Sequence, residues 1–218
     1  MRNFQFENEH FYHVYNRGVD KRNIFIDESD RNRFIKSIIA FNDINRVEKN
    51  SLSKIKVFPS ENPYVKIHAF CLMNNHFHLL LEPLIEKGVQ KFMHRLSDGY
   101  SKYFNIKHER SGSLFEGRYK AKWVDNDVYL QHLLRYIHLN PLDLMIDRKD
   151  KEVINWEKAL TMLEYYPWSS HRAYLGAEQM DFVTTDYLSK TFQDRTDYKN
   201  FLKEWLKYDE NIIRPYLI

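Results

Sequence analysis

A chain of 218 residues, 43% of them hydrophobic, is long enough for one well-packed domain and an extension, which excludes a disordered or peptide-like molecule. A net charge of +3 permits a nucleic-acid partner without requiring one, because the clustering of charge decides. The single cysteine, Cys71, rules out an internal disulfide framework, the opening MRNFQFENEH lacks the apolar centre of a signal peptide, and no run approaches the ~18 apolar residues of a membrane span, which together point to a soluble cytoplasmic protein with no membrane partner.

His10–Asn16, HFYHVYN, alternates aromatic or β-branched residues with polar ones and predicts a strand. The basic turn Arg17-Gly18-Val19-Asp20-Lys21-Arg22 follows. Ser29 or Asp30 is the expected cap of a helix reaching about Asn45, with Phe34, Ile35, Ile38, Ile39 and Phe41 at helical spacing. The polar stretch Arg46–Pro63 reads as a loop. Tyr64–Met73 is rich in strand formers, Asn74-Asn75 signals a turn, and His76–Glu82 is a further strand, antiparallel by its short connection and ended by Pro83.

From Glu86 to about Ile106 the apolar positions Val89, Phe92, Met93, Leu96, Tyr100, Tyr103 and Phe104 are helical in period. After the turn Ser111-Gly112-Ser113, Gly117–Val124 reads as a strand or an extended basic segment. Asp125 or Asn126 caps a helix running to Asn140, and Pro141 biases Asn140 away from helical geometry. The texture changes near Ile146, beyond which Asp147–Ile218 is charged and mostly helical in period. The order β-α-β-β-α-(β)-α predicts an α+β fold, helices on an antiparallel sheet, over residues 1–146, with a helical extension over 147–218.

In CLMNNHFHLLLEP two imidazoles interrupt an apolar strand. Alternation places His76 and His78 on one face, with Leu80 and Glu82, and turns Phe77, Leu79 and Leu81 into the core. Imidazoles taken from water need a partner: a core hydrogen bond, a nucleic-acid backbone or a metal ion. In LQHLLRYIHLNP the residues His132, Tyr136 and Asn140 recur every four positions and share a helix face, so an amide could join two imidazoles around a cation. A phenol needs such a cation or a base to act as a nucleophile. Without those neighbours Tyr136 reads as an ordinary half-buried aromatic.

Lys102, Lys107, Arg110, Arg118, Lys120 and Lys122 crowd one stretch, interleaved with Tyr103, Phe104, Phe115, Tyr119 and Trp123. Basic groups track phosphates and rings stack on unpaired bases; the plainer reading is a solvated loop. Arg17, Lys21 and Arg22 form a second basic group in the first turn.

YHVYNRGVDKRNIF, NHFHLLLEP, GSLFEGRYKA, YLQHLLRYIHLNP and WSSHRAYLG, in that order, resemble the single-tyrosine transposases of the HUH superfamily, most closely the insertion-sequence-like and REP-associated tyrosine transposase group. The resemblance covers Phe11 to Gly176 and is specific when the motifs are taken jointly. It implies a ferredoxin-like or RRM-like sheet with helices on one face and the two histidines on a central strand. It implies that His76, His78 and, where many relatives have Gln, Asn140 hold Mg2+ or Mn2+, with His132 as a fallback ligand.

The same resemblance implies that Tyr136 attacks a phosphate of single-stranded or hairpin DNA and stays joined to its 5′ side. Arg17, Lys21, Arg22, Arg110, Arg118, Tyr119, Lys120 and Lys122 are the expected DNA contacts. Relatives include dimers in which one chain's tyrosine completes the other's site, so a homodimer is allowed. Trp168, Ser169, Ser170, His171 and Arg172 either add to DNA recognition or cover the sheet. Two other readings share the fold: a domesticated binder of structured nucleic acid that no longer cuts, and a phosphodiesterase in which water attacks.

Overall fold

Strand-forming residues with apolar side chains on both faces build the centre of the molecule. The computed structural model describes residues 6–45, 57–144, 155–186 and 191–204. β1 (Phe11–Arg17), β2 (Val65–Met73) and β3 (His76–Pro83) are buried along nearly their whole length, whereas β4 (Lys120–Val124) is largely exposed. The sheet is antiparallel throughout, in the order β2-β3-β1-β4. With α1 (Glu28–Phe41) and α2 (Gly88–Lys107) this is the βαββαβ arrangement of ferredoxin-like folds.

Alternation divides the sheet between two cores. Tyr12, Val14, Phe70, Leu72, Phe77, Leu79 and Leu81 pack beneath α1 and α2. Ala69, Cys71, Met73, Leu80 and Val124 face the other way, under α3 (Asp127–Leu139), α4 (Trp156–Glu164) and α5 (Arg195–Lys203), the last described helix. The α+β class therefore stands as expected, and α1 and α2 share one face. α3 and the extension take the second face, which the apolar residues there make necessary. Among the described residues no helix is long and apolar enough to cross a membrane.

Several boundaries differ from the sequence-based expectations. The α1 cap is Asp27, whose side chain accepts from the Asp30 N–H; Asp30 completes the capping box, and its buried carboxylate also meets Lys107 at 2.8 Å. α1 stops at Phe41 because Asn42 turns its amide to Val65, donating to the carbonyl at 2.8 Å and accepting from the N–H at 3.0 Å. Of the expected loop, residues 46–56 lie outside the described residues, as does the expected boundary at 146. α3 ends at Leu139, capped by Asn126 at its start, but Asn140 stays helical at φ −52°, ψ −38°. The bias imposed by Pro141 is overridden because the chain tightens at once into the 3-10 turn Asn140–Leu144.

Glycine permits two close approaches. A Cβ on Gly99 would lie 2.4 Å from the Phe41 ring, so α1 and α2 meet there only without a side chain. A Cβ on Gly18 would lie 2.2 Å from the Arg22 carbonyl oxygen, which the tight turn Val19–Lys21 brings back toward β1.

The extension closes the sheet. Leu72 donates to the Trp168 carbonyl at 2.9 Å and Ser170 to the Phe70 carbonyl at 3.0 Å, so this segment pairs with the outer edge of β2. Ser169, Ser170 and His171 are buried and serve the sheet. The Tyr198 hydroxyl lies 2.8 Å from His138 Nδ1 and 2.9 Å from His171 Nδ1, and His138 Nε2 lies 2.7 Å from Ser170 Oγ. Arg135, also on α3, donates to the Phe201 carbonyl at 2.7 Å. These contacts fix α3 against the extension. Tyr198→Phe leaves two buried imidazole nitrogens without that hydroxyl and should lower unfolding free energy by about 2–4 kcal/mol in urea titrations. Tyr165→Phe, at a position 81% exposed, is the control and should leave the midpoint unchanged.

Candidate metal and nucleophile site

Strand pairing sets the floor of the site. Directly opposed residues in antiparallel strands project to the same face. Tyr15 opposes His78 and Lys120, Arg17 opposes His76, and His13 opposes Lys122, so imidazoles and lysines share one face of the sheet. α3 crosses this face antiparallel to β3. The Oδ1 of its C-cap, Asn140, comes within 3.3 Å of His76 Nε2, and its Tyr136 ring packs edge-on against His78 with centroids 5.0 Å apart. The His76, His78, Tyr136 and Asn140 expected to act together are thus adjacent within one chain. His132 lies one turn before Tyr136 on α3, largely buried; Asn140, the cap that follows α3, meets His76.

Proton positions follow from the hydrogen-bond donors available. Asn75 gives its Nδ2 to the Lys21 carbonyl at 3.1 Å, which aims its Oδ1 at His76 Nδ1 at 2.7 Å. A neutral imidazole carries one N–H. Asn75 Oδ1 takes the proton of His76 Nδ1, and His76 Nε2 faces the Asn140 amide oxygen. The two atoms are 3.3 Å apart. Two cis ligands of an octahedral cation with ~2.1 Å bonds sit roughly 3 Å apart, close to this spacing.

His78 repeats the pattern. It is fully buried, its Nδ1 lies 2.9 Å from His13 Nε2, and its Nε2 has no hydrogen-bond partner among the described residues. Burial, then the neighbouring His13 and His76, hold its pKa well below the usual imidazole range. Burial and then Lys122 lower His13 to about 3. Both rings are therefore neutral at physiological pH and retain lone pairs. No group of three or more His, Cys, Asp or Glu able to hold a metal occurs among the described residues; the set here is two imidazoles and an amide. Its mixed nitrogen and oxygen donors, one of them orphaned and buried, fit Mn2+ and accept Mg2+ if phosphate and water complete the shell.

The basic residues divide into two groups. Gly18 bridges to Phe115, Glu116 donates to the Arg17 carbonyl at 2.9 Å, and Arg17 pairs with the Glu116 carboxylate at 2.7 Å. The first turn, with Lys21 and Arg22 exposed, is thereby joined to the segment carrying exposed Arg118 and half-buried Tyr119. Lys120 stands 6.0 Å over the Tyr15 ring, and half-buried Lys122 lies beside His13, with its pKa lowered by burial and then by Lys120.

Arg110 instead binds Asn105 at the end of α2, Lys107 is held by Asp27 and Asp30, and Lys102 lies near Asp98 on α2. His13 and Asn75 are the residues sequence reasoning missed. His13 was legible as a third imidazole, since alternation in HFYHVYN puts it on the face of Phe11 and Tyr15; Asn75 reads only as a turn former.

The sequence model of the family described as IS200-like transposase matches residues 8–140, more than half of the chain. Among solved structures, that of a REP-associated tyrosine transposase bound to a REP hairpin shares the fold, with a TM-score of 0.50 and 10% identity over 84% of this chain and 96% of that one. No curated protein matches. A profile spanning both histidines, the α3 tyrosine and the amide that follows it, on a ferredoxin-like sheet, places the chain in the IS200-like transposase family.

Proposed function

We propose that the chain is a DNA transposase that cleaves and rejoins single-stranded DNA flanked by hairpins, with residues 1–146 as the catalytic domain and Tyr136 as its nucleophile. The observation that carries this reading is the packing of the Tyr136 ring on His78, whose Nε2 is buried without a partner among the described residues. His76 Nε2, His78 Nε2 and Asn140 Oδ1 would hold Mg2+ or Mn2+. When bound, such a cation polarises a phosphate oxygen and offsets charge that grows during displacement.

The Tyr136 oxygen attacks phosphorus, the bond from phosphorus to the 3′ oxygen breaks, and the phenolic proton ends on that oxygen. The products are a 5′-phosphotyrosine and a free 3′ hydroxyl. Attack by a 3′ hydroxyl on the phosphotyrosine reverses the step and joins strands without ATP. Lys120 and Lys122, on the sheet face that carries the histidines, would meet backbone phosphates, with Arg17, Lys21, Arg22, Arg118 and Tyr119 along the adjoining surface. Arg110 reaches DNA only if the strand runs on toward the end of α2. The hairpin partner is supported by the shared fold with a hairpin-bound transposase. Because Tyr136 lies beside its own chain's His78, a homodimer is not needed to complete the site.

The test is incubation with labelled single-stranded hairpin DNA and Mn2+, followed by denaturing electrophoresis. A protein-linked product that chelation prevents supports the proposal. Cleavage without any adduct points to attack by water, and binding without cleavage to a non-cutting nucleic-acid binder. Lys122→Ala should weaken binding to single strands of any sequence and flatten the slope of log K against log salt by about 0.7, the share of one lost phosphate contact. Fluorescence anisotropy from 50 to 300 mM salt measures it.

A further inference from the structure

His76 Nε2 lies 3.3 Å from Asn140 Oδ1, His78 packs against the Tyr136 ring with its Nε2 buried and without a partner among the described residues, and both histidines use Nδ1 for a bond within the protein. His76 Nδ1 meets Asn75 Oδ1 at 2.7 Å, and His78 Nδ1 meets His13 Nε2 at 2.9 Å. A neutral imidazole whose Nδ1 donates to a fixed acceptor keeps its lone pair on Nε2, and the same bond fixes the rotation of the ring.

We infer that His13 and Asn75 are positioning residues, which hold His78 and His76 in the tautomer and orientation that present two Nε2 lone pairs to one divalent cation. The inference rests on the metal reading proposed above. The two acceptors come from different parts of the fold. Asn75 sits in the β2–β3 turn, its amide set by the Lys21 carbonyl. His13 lies on β1, stacked on His78 with ring planes 19° apart and centroids at 5.1 Å.

His13 Nε2 is the atom that faces His78 Nδ1, so one of the two rings donates to the other. His13 Nδ1 and His78 Nε2 both lack a hydrogen-bond partner among the described residues, so either direction leaves one buried N–H unpaired. Only the direction from His78 Nδ1–H to His13 Nε2 leaves the His78 Nε2 lone pair for a cation, and a cation there would select it.

The first test needs no variant. In the metal-free protein, 15N-resolved NMR of the histidine rings should find the protons of His76 and His78 on Nδ1, the less common tautomer in water. A proton on Nε2 of His78 would overturn the inference. The second test is Mn2+ affinity of the full chain by calorimetry. His13→Phe keeps ring volume but removes the acceptor, and should weaken Mn2+ binding about 10–100-fold. His13→Gln, with an amide oxygen near the Nε2 position, should recover most of that loss. Asn75→Ala, in a partly exposed turn, should weaken Mn2+ binding by about 10-fold with little change in the thermal midpoint.

Equal affinity in wild type and His13→Phe would overturn the inference alone. So would His13→Gln binding as weakly as His13→Phe, with both variants losing thermal stability, since that marks a role in packing only. Wild-type protein that takes up no Mn2+ at all would overturn the metal reading beneath it.

Discussion

Tyr136→Phe should abolish the denaturant-stable DNA adduct and reduce strand cleavage by at least ~10^4-fold, while hairpin affinity stays within about threefold of wild type. The asymmetry follows from what the substitution removes. The ring stays, and with it the edge-on contact to His78 at 5.0 Å and the contact to His13 at 6.3 Å, so the packing of α3 on the sheet is kept. Only the oxygen that would bond to phosphorus is lost. Tyr129, also on α3, offers no substitute: it is 5% exposed and sits within the second core. The measurement is a time course with 5′-labelled and 3′-labelled strands. Cleavage persisting in Tyr136→Phe at a comparable rate would remove the tyrosine from the mechanism and make water the attacking group.

Local patterns made much of this site readable. His76 and His78 are two apart on a strand, so period two alone put them on one face; Tyr136 and Asn140 are four apart on a helix, so period 3.6 did the same for them. Bringing the two pairs together depends on the distant contacts that seat α3, from His138 to Ser170 and from Arg135 to Phe201, and those have no local signature. The same limit explains His13. Its strand was legible, yet the pairing of Tyr15 with His78 that brings β1 beside β3 is a contact across 63 positions, and only that register sets His13 against His78.

Burial also escaped the sequence. WSSHRAYLG is polar enough to suggest a nucleic-acid contact, but its serines and His171 point inward because the edge of β2 needs backbone partners and α3 needs hydrogen bonds. Lys107 is basic and looked available, yet two carboxylates at the start of α1 hold it. Composition reports how many charges a segment has; only the fold reports which are already neutralised.

His76→Ala should abolish the thermal stabilisation that Mn2+ gives to the wild-type protein while leaving the metal-free midpoint within a few degrees. At 100 times its dissociation constant a ligand that binds only the folded state adds about 2.7 kcal/mol, a rise in midpoint of about 5–10 °C for a chain this size. His76 suits the test because it is only partly buried, as the first residue of β3, so its removal leaves no deep cavity. The substitution removes the side-chain contacts to Asn75 and Asn140, both part-buried, so the metal-free protein loses little. On the metal reading proposed above, Mn2+ would stabilise wild type through a ligand that the variant lacks. Differential scanning fluorimetry with and without Mn2+, repeated after chelation, decides it: an undiminished Mn2+ shift in His76→Ala would place the cation elsewhere on the protein.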